Sequence, residues 1–86
     1  MASTFAAAEK RRELLYALLR GGFQVRMHSY EYLIRRGEFV SIVVLYPAWN
    51  LARIRLIRWN LGKSIQAAKE IDAVLRGLDP CIGIEI

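Results

Sequence analysis

The residues best suited to chemistry in this chain are cations and flat rings, and they fall into two groups. Gln24, Arg26, His28, Tyr30 and Tyr32 recur at every second position, so on one regular strand they project to one side. Such a row combines a guanidinium, a hydrogen-bonding ring and two aromatic faces. Arginine follows phosphates, and bases stack on aromatic rings at about 1–3 kcal/mol each. The second group is Arg53, Arg55 and Arg58, bracketed by Trp49 and Trp59. On a strand Arg53, Arg55 and Trp59 share a face, and Arg58 takes the other unless a bulge intervenes. Arginines interleaved with aromatics are what a single-strand groove requires. Plainer uses exist for both groups: tyrosine is a good strand former, tryptophans fill cores and interfaces, and arginines on a solvated edge discourage aggregation.

A third segment, Asn60-Leu61-Gly62-Lys63-Ser64, stands before a helix, where free backbone N–H groups favour a phosphate. Lys63 would add a cation there. The segment is not a Walker A loop, because Ile57 stands where that motif needs its first glycine. Nucleotide hydrolysis therefore has no support. A simple helix start, with Gly62 in the turn and Ser64 as cap, accounts for the same residues.

Covalent chemistry has few candidates. His28 is the single histidine and Cys81 the single cysteine, which is short of the ligand set of a zinc site. Cys81 has no second histidine or acid cluster to activate it and reads as a small buried hydrophobe. The acids Glu31, Glu38, Glu70, Asp72, Asp79 and Glu85 form no paired-carboxylate motif. Glu9 and Glu13 stand one helical turn apart among Lys10, Arg11, Arg12 and Arg20 and read as helix-surface ion pairs. No metal and no cofactor is implied.

The elements that would position these residues follow from pattern. Residues 3–20 read as a helix capped by Ser3 or Thr4, with Leu14, Leu15, Leu18 and Leu19 as its stripe and Gly21-Gly22 at its end. The period then changes to two from Phe23 through Ile34. Phe23, Val25, Met27 and Leu33 are placed to face the helices. Arg35-Arg36-Gly37-Glu38 reads as a hairpin turn with Gly37 at positive φ. Phe39–Tyr46, almost wholly apolar, reads as a central strand covered on both faces and ended by Pro47. Asn50–Asn60 alternates like a third strand, although Leu51, Ile54 and Arg58 could also share a helix face. Ser64–Arg76 reads as a second helix with the stripe Ile65, Ala68, Ile71 and Leu75. Ile82, Ile84 and Ile86 mark a final strand. The expected fold is α+β in the order α-β-β-β-α-β, a mostly antiparallel sheet packed by two helices.

Size and charge frame the function. Eighty-six residues make one domain, 1–86. The net charge is +5, and ten of the 13 basic residues are arginine. A hydrophobic fraction of 55% excludes a disordered basic tail. A chain this small buries only about 60–65% of its unfolded surface, so excess apolar residues point to a homodimer interface or a binding groove. The longest apolar run, Ile42–Tyr46 extended through Pro47–Trp49, is far short of the ~20 residues that span a bilayer. The apolar start Met1–Ala8 precedes its charges, the reverse of a signal peptide. One cysteine fits an intracellular, cytoplasmic chain. The arginine bias suits nucleic acid, and a GC-rich or thermophilic host would also produce it. Six of the ten arginines lie within Phe23–Asn60, with both tryptophans, three of the four tyrosines and only two acids, Glu31 and Glu38.

The small, basic layout of arginine- and aromatic-lined strands against two helices resembles the ThermoDBP-type single-strand-binding proteins of archaeal thermophiles. That resemblance implies a basic cleft holding single-stranded DNA or RNA, carried here by Arg26, Tyr30, Tyr32, Trp49, Arg53, Arg55, Arg58 and Trp59. Separately, His28-Ser29-Tyr30-Glu31-Tyr32-Leu33-Ile34 is similar to the His-Ser-x-Tyr-hydrophobic stretch of archaeal tRNA-splicing endonucleases, and Arg55-Leu56 followed by Lys63 is similar to their downstream Arg-Leu…Lys. That likeness implies metal-free RNA cleavage by a Tyr base, a His acid and a Lys. The chain departs from the family, whose aromatic-Gly-x-x-Phe strand precedes the histidine and which has a strand where a helix follows Lys63 here. The expectation is non-catalytic binding of single-stranded DNA or RNA by Arg26, His28, Tyr30, Tyr32, Trp49, Arg53, Arg55, Arg58, Trp59 and Lys63. A homodimeric structural protein and a metal-free ribonuclease are the alternatives.

Overall fold

A computed structural model of the chain describes residues 3–58 and 61–86, apart from the side chains of Arg58 and Leu61. The expected α+β class holds, with one strand more than the sequence pattern gives. The order is α1 (Ala8–Arg20), β1 (Gln24–His28), β2 (Glu31–Arg36), β3 (Phe39–Tyr46), β4 (Leu51–Arg58), α2 (Leu61–Leu78) and β5 (Gly83–Glu85). The strands form one sheet in the order β1-β2-β3-β4-β5. Its first three pairings are antiparallel and the last is parallel.

The extra strand comes from a turn inside the run Phe23–Ile34. Ser29 takes φ +58°, and His28 pairs with Glu31 across a two-residue connection. Period-two alternation does not reveal such a turn, because serine at positive φ carries no sequence signal as strong as Asn-Gly. The second connection is as expected: Gly37 takes φ +60° and Arg36 pairs with Phe39.

The first helix starts later than its pattern. Ser3 accepts a hydrogen bond from the Phe5 N–H and caps a 3-10 turn, Thr4–Ala6, and the α-helix begins at Ala8. Its end is a Schellman motif. The Phe23 N–H bonds the Leu18 carbonyl, the Gly22 N–H bonds that of Leu19, and Gly22 takes φ +88°. Phe23 and Leu18 are both buried, completing the hydrophobic contact of that motif.

The second helix is longer than Ser64–Arg76. It starts at Leu61, so Ser64 lies within its first turn and does not cap it. The Ser64 side chain is buried, and its Oγ finds no hydrogen-bond partner among the described residues.

Both helices pack on one face of the sheet. Leu14 and Leu18 of α1 and Ala67, Ile71 and Leu75 of α2 share a core with Tyr32, Ile34, Phe39, Val43, Leu45, Ala52 and Ile54. Leu19 and Ile65, expected on the helix stripes, are exposed, because the buried stripes run through Leu14 and Leu18 and through Ser64, Ala67, Ala68, Ile71 and Leu75, one position to the side of each. Ser41 is the polar member of the sheet's buried face, and its hydroxyl donates to the Arg55 carbonyl at 2.8 Å.

Among the described residues, no helix covers the opposite face. β3 therefore does not sit covered on both sides as its apolar run implies. Phe39, Ser41, Val43 and Leu45 are buried, while Val40, Ile42, Val44 and Tyr46 are only half-buried. Leu33 also belongs to this open face and is 36% exposed. Cys81 corrects a further expectation. It lies in the turn after α2, before β5 begins, and is exposed. Among the described residues, no helix is long and apolar enough to cross a membrane.

Candidate nucleic-acid interface

The open sheet face gathers cations from three strands around an apolar centre. The register fixes the rows. Arg26 stands opposite Leu33, Leu33 opposite Ile42, and Ile42 opposite Arg55. In the next row Glu31 stands opposite Val44, Val44 opposite Arg53, and Arg53 beside Glu85. Gln24 and Arg35 pair in the row on the other side. Because side chains alternate between faces, Arg26, Arg35, Arg53 and Arg55 all leave the sheet on its helix-free side. All four are exposed.

Two hollows lie in this face. The larger, about 730 Å³, is lined by Val44, Tyr46, Arg53 and Arg55 with Glu31 and Glu85. The smaller, about 450 Å³, is lined by Gln24, Arg26, Leu33 and Arg35. An apolar floor with cationic walls can take a base on its floor and phosphates on its walls.

Trp49 lies beside Tyr46, one of the residues that line the larger hollow. It is 74% exposed, and its ring centroid lies 6.0 Å from that of Tyr46 at an interplanar angle of 48°. The Arg53 guanidinium lies 5.5 Å from the Tyr46 ring centroid. The segment is held firmly. Asn50, in the left-handed region at φ +48°, accepts from the Ser3 hydroxyl at 2.8 Å. Its side-chain amide donates to the Cys81 carbonyl, and its own carbonyl accepts from the Gly83 N–H at 2.9 Å. Two distant parts of the chain thus converge on the residue next to Trp49.

β4 carries a bulge. Ser41 pairs with Leu56 and Val40 with Arg58, which leaves Ile57 as an extra residue. The shift brings Arg58 opposite Val40 in register. The Arg58 side chain and the whole of Trp59 lie outside the described residues, so their expected places in the site have no structural account.

The row expected from Gln24 to Tyr32 is broken by the Ser29 turn. Gln24, Arg26 and His28 keep to the open face and are exposed. Tyr32 pairs with Met27 and turns to the helix side. It is 0% exposed, and its hydroxyl donates to the Arg11 carbonyl at 2.8 Å. Burial pushes its pKa up to about 12, against a smaller opposing pull from Arg11. Tyr32 is a core residue and not a stacking platform. Tyr30 sits in the turn itself, 37% exposed, with the Arg11 guanidinium 4.3 Å from its ring centroid.

Lys63 lies on α2, in the layer that packs the other face. It lines a separate hollow with Arg36, Gly37, Glu38, Phe39 and Gln66. It is therefore not part of the open-face site, and the Asn60–Ser64 segment is mostly the first turn of a helix. His28 and Lys63 are likewise not brought together, since His28 is on the open face and Lys63 is on the helix layer.

Arg36 shows how strand parity sorts neighbouring arginines. It points to the helix side, where it forms an ion pair with Glu70 and lies over the Phe23 ring at 4.2 Å. Its hydrogen bond to Glu70 raises its own pKa and holds that carboxyl below its ordinary value. Arg35, one residue earlier, faces the open side. Sequence reading placed Arg35 in a turn and Tyr46 in a strand covered on both sides, so it missed both for the site. The signal available was the two-residue spacing of Tyr46 from Val44 and Ile42.

Compared with models of protein families, with curated proteins and with solved structures, the chain matches none. Fold and site together describe a small α+β domain with a five-stranded sheet, two helices on one face and a basic, apolar-centred face left open.

Proposed function

We propose that this protein binds single-stranded nucleic acid, without catalysis, across the open face of its sheet. One observation carries the reading: Arg26, Arg35, Arg53 and Arg55 surround the half-buried Ile42, Val44 and Tyr46 on the one sheet face no helix covers. Phosphates meet the arginines, bases lie on the aliphatic floor, and Tyr46 and Trp49 supply stacking surfaces. A duplex would keep its bases from that floor, which is why a single strand fits better. The same binding mode is what the resemblance to ThermoDBP-type proteins implies. The intracellular setting expected from the single cysteine agrees with it.

The homodimer is the second reading, favoured by the apolar middle of the same face. Leu33, Val40, Ile42 and Val44 would pack sheet against sheet across a two-fold axis. Four exposed arginines per copy oppose that contact, since each would meet a like charge or lose its water.

Charge reversal separates the readings. The pair Arg53→Glu and Arg55→Glu should abolish binding of a fluorescent oligonucleotide and leave sedimentation behaviour unchanged. A wild-type protein that binds no oligonucleotide and sediments as a dimer, becoming monomeric in Ile42→Lys, would establish the second reading instead.

A further inference from the structure

Glu31 is the feature of the open face that phosphate binding does not explain. It lines the larger hollow with Val44, Tyr46, Arg53, Arg55 and Glu85. Three other acids are paired with arginine: Glu85 meets Arg53 at 3.4 Å, Asp72 meets Arg76 at 2.7 Å, and Glu70 meets Arg36. Glu31 makes no ion pair among the described residues. Its row neighbour is Val44, whose other neighbour is Arg53. A base lying on Val44 would have a carboxylate along one edge and a guanidinium along the other, with Tyr46 two residues further along the strand.

An ionised carboxylate accepts hydrogen bonds and donates none. It repels phosphate, so its useful partner in a polyanion site is a base N–H. Guanine presents two donors side by side, the ring N1–H and the N2 amino group, which match the two carboxylate oxygens. Thymine and uracil present one ring N–H between two carbonyls. Adenine and cytosine present an amino group beside a ring acceptor that repels the carboxylate. We propose that Glu31 makes this face selective for guanine. The proposal rests on the single-strand reading above and adds a specificity-determining residue to it.

The test measures anisotropy of labelled ten-residue oligothymidine and of the same strand with one central guanine, hypoxanthine or adenine, at low salt. For the wild type, guanine should tighten binding about tenfold over thymine or adenine, the scale of one bidentate contact. Hypoxanthine, which lacks the amino group, should fall between. Glu31→Gln should erase the preference without weakening the all-thymine strand. Glu85→Gln, which frees Arg53, should tighten all four strands alike and keep the preference. Equal affinity for all strands in the wild type, or a guanine preference that persists in Glu31→Gln, overturns the proposal while the single-strand reading stands. Failure to bind any of the strands overturns both.

Discussion

The Arg53 guanidinium sits between a ring and an acid: it lies 5.5 Å from the Tyr46 ring centroid, and its Nη2 is 3.4 Å from Glu85 Oε2. Tyr46 and Arg53 are thereby neighbours on one surface that lines the larger hollow. Arg53 and Glu85 are both about half exposed, so the ion pair is screened and holds the guanidinium weakly. A phosphate can displace Glu85 while Arg53 keeps its place over the ring.

Trp49 should matter for binding and not for folding. It is 74% exposed, so Trp49→Ala should change unfolding free energy by less than about 0.5 kcal/mol, as for an ordinary surface site. Loss of one stacking platform should cost about 1–3 kcal/mol of oligonucleotide affinity. Chemical denaturation and anisotropy on the same variant check the two halves. A large loss of stability with unchanged affinity would make Trp49 a structural residue.

Tyr32 makes the opposite prediction. Tyr32→Phe deletes the hydrogen bond to the Arg11 carbonyl and should cost about 0.5–1.5 kcal/mol of stability at neutral pH, with little direct effect on binding. The pH dependence has a defined sign. The folded-state pKa of about 12 lies above the ordinary value of 10.0, so the phenol's contribution is complete below pH 10 and is lost as pH rises toward 12. Denaturation curves across that range should be less steep in pH for Tyr32→Phe than for the wild type.

The Ser29 turn is a place to gain stability. Serine at φ +58° bears the left-handed penalty of about 1–2 kcal/mol, and glycine avoids it at an entropic cost of about 0.4–1 kcal/mol. Ser29→Gly should therefore stabilise by about 0.5–1 kcal/mol, raising the thermal midpoint by about 2–8 °C for a domain of this size. Calorimetry reads the outcome directly.

Acid sensitivity should trace partly to Arg36 and Glu70. The guanidinium holds the Glu70 carboxyl below its ordinary value of 4.5. The pair's contribution is thus complete above the ordinary carboxylate range and is lost as pH falls through the lowered value. Both side chains are about one-third exposed, so solvent screens the effect. Glu70→Gln should flatten the acid limb of the stability curve and leave the alkaline limb unchanged.

Much of this fold was legible in the residues, because helix periodicity, the glycine pair after Arg20 and the alternation of Arg53 to Leu56 are local signals. The Ser29 turn was not. Once it inverts the parity, Tyr32 moves from the expected binding row into the core, and Leu33 moves out of it. The same local blindness hid the open face of β3. An unbroken apolar run reads as doubly covered, yet here Ile42 and Val44 are half-buried in the floor of a basic surface that no helix of the described residues covers. Lys63, expected as a cation at a helix start, lies apart from the open face because a local motif does not say which side of the sheet α2 packs on. Arg26, Arg53 and Arg55 kept their expected exposure because strand parity alone decides it.

The most direct measurement of the central claim is the salt dependence of oligothymidine binding. Four arginines neutralising about four phosphates of a single strand give a slope near −3 in log affinity against log salt, and Arg26→Ala or Arg55→Ala should each lower its magnitude by about 0.7. Between about 50 and 200 mM salt the wild-type affinity should then fall roughly fiftyfold. An affinity that does not change across that range, or a slope untouched by either substitution, would contradict the proposed basic face.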